Sequence, residues 1–273
     1  MGEASLRGGG DWLEVVEGNL PFIVSLPHTG TTVPDEFAAG FANTKLTTRD
    51  ADWHLHQVFR PILPAGTTVV RTDISRSIID VNRPPDGQSL YPGQATTGLC
   101  PTTDFDGTPL YRPGSEPAPN EIECRRRLFH EPYARALGEQ IERLRARHGR
   151  VAVLDCHSIR PRIPRLFDGT LPGLNIGTDD GRSCLPRVQA KLEAVAEQSP
   201  FTWVSNGRFK GGWITRHFGN PKAGIDSVQI EIAMNAYLLV RDENDYGAPE
   251  YEADGARLLQ QTLSPFIEAL LQP

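Results

Sequence analysis

Short apolar, β-branched runs recur along this chain with helical patterns between them, and that alternation constrains the fold more than any other feature. The runs are FIVSL (22–26), TTVVRT (67–72), SIIDV (77–81), VAVLD (151–155), LNIGT (174–178), TWVS (202–205) and VQIEIA (228–233). Helical patterns lie near 50–60, 120–147, 184–198 and 252–271. Strands that alternate with helices imply an α/β fold whose mixed, largely parallel, twisted sheet is flanked by helices. Pro and Gly concentrate in residues 82–120, and an irregular connection of that length is commonly a binding loop or lid. There is no internal repeat and no low-complexity linker, so residues 1–273 read as a single domain with a long loop at about 82–120 over its active face.

In open α/β sheets, ligands bind in the crevice beyond the carboxyl ends of the strands. Polar residues at strand exits are therefore the first candidates for chemistry. FIVSL runs into Pro27 and His28, and VAVLD runs into Asp155, Cys156, His157 and Ser158. One histidine so placed is as compatible with a core role, but two on different strands can share one crevice. The segment TTRDADWHLHQVF adds Asp50, Asp52, His54 and His56, and histidine combined with carboxylate is the ligand chemistry of a catalytic zinc. On a helix Asp52 and His56 would share a face while His54 points elsewhere, which makes Asp52 the preferred ligand and Asp50 or His56 the substitutes. The bland alternative is that these acids only cap and solvate a helix start.

The stretch RTDISRSIIDVNRPPDG carries Arg76, Asn82 and Arg83 around SIIDV, and an arginine fork beside an asparagine suits a carboxylate. Glu231 lies between Ile230 and Ile232 in an apolar strand. Burial raises a carboxyl group toward the range that a general base needs near neutrality. A net charge of −6 excludes a general nucleic-acid binder, which needs a basic face. No stretch approaches a membrane span, and four cysteines without a CxxC pair fit a reducing cytoplasm.

SLPHTG, DADWHLHQVF, SIIDVNRPPDG, PYARAL, LDCHS and GRFKGGWITRHFGNP followed by SVQIEIAMNAYL together resemble the N-formylglutamate amidohydrolases, in order, over roughly residues 15–265. That family is similar in fold to the zinc carboxypeptidases and aspartoacylases, so the resemblance implies a zinc carboxypeptidase-like (phosphorylase/hydrolase-like) sheet. It implies metal ligands at His28, Asp52 and His157, with zinc or another divalent metal as cofactor. Carboxypeptidases take their first two ligands from a compact H-x-x-E. Position 31 here is Thr, so the carboxylate has to come from further along.

By the same resemblance Glu231 is the general base and Arg76 polarises the scissile carbonyl. Asn82 and Arg83 would hold one substrate carboxylate, while Arg208, Lys210, Arg216 and His217 are candidates for a second. The implied reaction is hydrolysis of N-formyl-L-glutamate to formate and L-glutamate, the last step of a histidine degradation route. The implied partner is a small anionic N-acyl amino acid, with neither nucleic acid nor membrane, and oligomeric state is left open. Two alternatives stand beside it: a related zinc amidase for another N-acyl amino acid or a peptidoglycan peptide, and a metal-dependent binding protein without catalysis.

Overall fold

A computed structural model describes residues 12–239 and 247–272. Its sheet takes the order β1-β3-β2-β4-β7-β5-β6. These strands are β1 (Leu13–Val16), β2 (Phe22–Leu26), β3 (Thr68–Thr72), β4 (Val151–Ile159), β5 (Leu174–Gly177), β6 (Trp203–Ser205) and β7 (Ile225–Ala233). Strands β3, β2, β4 and β7 run parallel, β1 joins β3 antiparallel, and β5 reverses against β7 before pairing in parallel with β6. The expected mixed, largely parallel sheet is therefore present.

The helices are α1 (Asp35–Ala38), α2 (Leu55–Phe59), α3 (Pro119–Arg125), α4 (Glu131–His148), α5 (Pro186–Glu197), α6 (Trp213–Phe218) and α7 (Ala253–Leu271). On one face of the sheet Phe22, Val24, Leu154, Val228 and Ile230 pack with residues of α2, α5 and α7, among them Phe59, Leu192 and Phe266. On the other face Ile23, Val70, Val151 and Val153 pack with Tyr133, Leu137, Ile141 and Leu144 of α4 and with Ile214 of α6. Helices on both faces leave the central strands dry, which is why β2, β4 and β7 are buried along their whole length. No described helix is long and apolar enough to cross a membrane.

Side chains alternate across a strand, so one face of β4 reads Val151, Val153, Asp155, His157 and the same face of β7 reads Ile225, Ser227, Gln229, Glu231. Apolar residues at the start of each strand pack under helices, and polar residues at its carboxyl end face the crevice. Glu231 thus occupies an apolar sequence because Ile230 and Ile232 point to the opposite face.

Two expectations need correction. SIIDV (77–81) is no strand: its residues are buried, but the chain is folded into turns. The Ile78 N–H donates to the Ser75 carbonyl, the Asp80 side chain accepts from Asn82 N–H, and the Asp80 carbonyl accepts from Arg83 N–H. Short polar side chains that bond to the backbone two residues on favour such turns over a ladder. The helix expected over 50–60 begins only at Leu55, because His54 adopts a left-handed φ of 58°. Asp52 therefore precedes that helix and shares no helical face with His56. The helix expected over 120–147 is present, with one wider π turn at Arg126–His130. The strand β1 and the helix α6 lay outside the expected elements.

Leu137 is fully buried under this face, against Ile23, Val70 and Val153. Leu137→Ala should cost about 2–5 kcal/mol through the cavity it leaves. Urea unfolding measures it, and a loss below about 1 kcal/mol would show that α4 does not anchor the sheet.

Candidate active site

Asp52, His28 and His157 come together from three places in the chain. His28 follows β2, His157 is on β4, and the N–H of Asp52 donates to the His28 carbonyl at 2.9 Å, which fixes the two neighbours side by side. All three residues are buried, and one potential ligand atom from each lies within 4.8 Å of the others. His56 is only half-buried, on α2, and Asp50 instead accepts from the Phe105 N–H at 2.7 Å.

The orientation of the imidazoles decides what this cluster can hold. His28 Nε2 lies 2.6 Å from Asp80 Oδ1, and His157 Nε2 lies 3.0 Å from Asp155 Oδ2. A carboxylate that accepts a hydrogen bond from Nε2–H turns Nδ1 toward the shared centre. This is how metal-ligating histidines are held in the correct tautomer. His28 Nδ1 and Asp52 Oδ1 are both buried without any hydrogen-bond partner, and His157 Nδ1 is 3.2 Å from Asp52 Oδ2. Orphaned buried acceptors of this kind are costly unless something binds them. Two imidazole nitrogens and a carboxylate fit a divalent metal, with room for water or substrate in a remaining position.

The electrostatics separate the two histidines. Burial first, and then the Arg76 cation, lowers His28 to about 4, so it is neutral and able to ligate. Burial would lower His157 too, but the Asp155 and Asp52 carboxylates outweigh it and hold the ring well above its ordinary value. Those carboxylates keep His157 protonated in the absence of a cation, and a bound cation would take the place of its Nδ1 proton. Burial would raise Asp80; the Arg83 cation, the His28 ring that hydrogen-bonds to it and the Arg76 cation together hold it well below the usual carboxylate range.

Around the cluster is a cavity lined by His28, Arg76, Arg83, His157, Arg208 and Glu231, with other residues. Burial pushes Glu231 up to about 8. Its Oε2 accepts from Gln229 Nε2 at 3.2 Å, and Gln229 Oε1 accepts from the Gly212 N–H at 2.7 Å, which fixes the amide's orientation. Arg76 is held at one end by Asp80, 2.6 Å away, while its Nε is buried without a partner.

The other expected residues divide. Arg83 and Arg208 line the cavity. Asn82 lines it too, but its amide is already committed. Its Nδ2 donates to Asp155 at 3.0 Å and lies 2.8 Å from His157 Nε2, and its Oδ1 accepts from the Ile214 N–H at 2.7 Å. A carboxylate-binding role for Asn82 is therefore replaced by a structural one: it locks α6 to β4. Lys210 and His217 are not brought to the cavity wall. Lys210 pairs with Asp180 at 3.1 Å, and His217 stacks on Trp213 with ring centroids 4.4 Å apart. Arg216 pairs with Asp179 at 3.4 Å. Sequence reasoning missed Asp80 and Asp155 as orienting groups and Gln229 as a partner of Glu231. The spacing of two along a strand, Asp155 to His157 and Gln229 to Glu231, was the available signal.

The family profile of N-formylglutamate amidohydrolase matches residues 20–238. A protein of Pseudomonas aeruginosa named N-formylglutamate deformylase is 40% identical over 264 residues, spanning 95% of this chain and 96% of that one. The chain belongs to the N-formylglutamate amidohydrolase family. A second protein so named, from Pseudomonas putida, is 40% identical over 256 residues, covering 93% of this chain and 94% of its own. The crystal structure of N-formylglutamate amidohydrolase from Ralstonia eutropha JMP134 superposes with a TM-score of 0.78 at 23% identity, over 94% of this chain and 97% of that one, and so shares the fold.

Two outcomes follow from this amidohydrolase site. Asp155→Asn, which leaves His157 Nε2 without a carboxylate, should weaken metal binding roughly tenfold to a hundredfold. Competition against a chromogenic chelator reads this directly, and an unchanged affinity would refute the orienting role. The second concerns pH. The folded metal-free protein keeps a proton on Glu231 up to about 8, whereas the unfolded chain releases it near 4.5. That stabilising contribution is complete below about 4.5 and is lost as pH rises through about 8. Glu231→Gln should therefore lose less stability than wild type over that window, as followed by thermal melting. A steeper loss in the variant would contradict the raised value.

Proposed function

We propose that this protein hydrolyses N-formyl-L-glutamate to formate and L-glutamate, as a single zinc-dependent amidohydrolase domain acting in the last step of a histidine degradation route. The observation that carries this reading is one cavity lined by both histidines of a buried His-Asp-His cluster, a carboxyl group raised by burial and three arginines. The unpaired state of Cys100, Cys124, Cys156 and Cys184 supports a reducing, cytoplasmic setting.

His28 Nδ1, Asp52 and His157 Nδ1 would hold the zinc. When bound, it supplies Lewis acidity at the formyl oxygen and acidifies a water molecule. In its ionised form Glu231 accepts the proton of the attacking water, and its raised affinity for protons suits it to return that proton to the departing amine nitrogen. Arg76, pinned by Asp80 and with Nε unpartnered, offers a preorganised donor to the oxygen that gains charge as the carbonyl carbon becomes tetrahedral. Gln229 keeps the Glu231 carboxylate from rotating away.

Arg83 belongs with the α-carboxylate, which is adjacent to the scissile nitrogen. Its Nη1 lies 3.5 Å from Asp80, the residue that also holds His28 and Arg76, so of Arg83 and Arg208 it is Arg83 that is tied to the metal cluster. Arg208, held by the carbonyls of Leu166 and Ala95, is left for the side-chain carboxylate.

Formate release from N-formylglutamate, set against acetate release from N-acetylglutamate and N-acetylaspartate with and without chelator, tests the reading. Formate release that chelator abolishes and zinc restores is expected; equal turnover of the acetyl substrates would favour a broader amidase. Arg83→Lys should lose roughly tenfold or more in kcat/KM, because lysine cannot reproduce the planar fork. Arg76→Lys should lower kcat with KM little changed, since its contact strengthens only as the oxyanion forms. Steady-state kinetics separates the two, and a pure KM effect at Arg76 would remove its assigned role.

A further inference from the structure

Arg208 is a cation held without being neutralised. Its Nε donates to the Leu166 carbonyl at 2.8 Å and its Nη2 to the Ala95 carbonyl at 2.9 Å. Among the described residues no carboxylate forms a salt bridge with it, whereas Lys210, Arg216 and Arg182 nearby in the sequence or the fold all pair with Asp179 or Asp180. Carbonyl oxygens satisfy the donors of a guanidinium and leave its net charge in place.

Tyr91 completes that holding. The guanidinium carbon of Arg208 lies over its ring at 5.3 Å and over the neighbouring Phe209 ring at the same distance, and that of Arg216 lies over the Tyr91 ring at 5.0 Å. The Tyr91 hydroxyl accepts from the Lys210 N–H at 3.1 Å and donates to the Gly211 carbonyl at 3.0 Å. Tyr91 is thus tied to the backbone just after Arg208 while its ring supports the Arg208 side chain. Ala95, which supplies one of the Arg208 carbonyls, is four residues further along the same irregular segment, and both Tyr91 and Ala95 line the active-site cavity. An aromatic face attracts a cation by its quadrupole and, unlike a carboxylate, does not compete with an anionic ligand for it.

We propose that Tyr91 is the positioning residue that holds Arg208 aligned and uncancelled, and that it thereby sets the preference of this enzyme for a substrate with a second, side-chain carboxylate. This rests on the reading of Arg208 as the partner of that carboxylate. The loop that carries Tyr91 is consequently a specificity element of the site as well as a cover over it.

The test compares formate release by the zinc-loaded enzyme from N-formylglutamate and from N-formylglutamine, whose side chain carries no charge. Wild type must first prefer the diacid; if it does not, the functional reading fails before Tyr91 is in question. Given that preference, Tyr91→Ala should reduce the ratio of the two kcat/KM values by roughly three- to tenfold, the range that one cation–π contact supports. The change should fall on KM for N-formylglutamate, and Tyr91→Phe, which keeps the ring, should retain most of the preference. In an Arg208→Gln background Tyr91→Ala should change the ratio no further, because the two residues act through one interaction. Equal losses on both substrates, an undiminished ratio in Tyr91→Ala, or additive losses in the double variant would each overturn the proposal. Should Tyr91→Ala fail to fold, Tyr91→Leu takes its place, alone and in the Arg208→Gln background, with the same ratios expected and the same results overturning the proposal.

Discussion

The site depends on one kind of contact: a buried carboxylate set against Nε2 of a histidine in the His-Asp-His cluster. Asp80 is so placed for His28 and Asp155 for His157. Without those contacts each imidazole could flip or change tautomer, and the Nδ1 atoms would no longer converge on Asp52. The carboxylates are buried at real cost, since a desolvated charge is unfavourable unless it is paired and hydrogen-bonded. Each has more than one partner. Asp80 faces His28, Arg76 and Arg83, while Asp155 accepts from Ser25 Oγ at 3.0 Å and from Asn82 Nδ2 at 3.0 Å as well as holding His157. Breaking either set would strand a charge in the core.

Those shared partners make the site one network across several elements. Asn82 joins β4 to the start of α6 through Ile214, the Gly212 N–H beside it holds Gln229, and Gln229 holds Glu231. A Cβ at Gly212 would collide with the Asn82 amide, so a larger residue there would displace it. Glu231, the His-Asp-His cluster and the start of α6 are therefore positioned by the same few side chains. Rigid placement of this kind is what lets a hydrolase stabilise charge as it develops, without reorganising at the moment of reaction.

The fold was legible because buried parallel strands leave continuous apolar runs, and those runs end where the chemistry begins. His28, His157 and Glu231 could be read from that pattern alone. SIIDV could not, because a buried turn and a buried strand present the same apolar composition. Asp52 was preferred on helical spacing before family resemblance pointed to it, and that spacing was wrong: the left-handed His54 keeps Asp52 out of the helix, and a backbone bond to His28 places the residue instead. The commitment of the Asn82 amide, the pairing of Lys210 with Asp180 and the seat of Arg208 on Tyr91 depend on contacts between segments far apart in the chain. No local pattern reports such contacts.

If carboxylates on Nε2 present the two Nδ1 atoms, together with Asp52, to one ion, that ion has a single place to sit. Anomalous diffraction at the zinc edge, from crystals of the zinc-loaded protein, locates it directly. One peak is expected in the cavity, bonded to His28 Nδ1, His157 Nδ1 and an Asp52 carboxylate oxygen, with Asp80 and Asp155 still on the opposite ring nitrogens. A peak bonded through Nε2 of either histidine, or one held by Asp80 or Asp155 in place of Asp52, would overturn this assignment of the ligands.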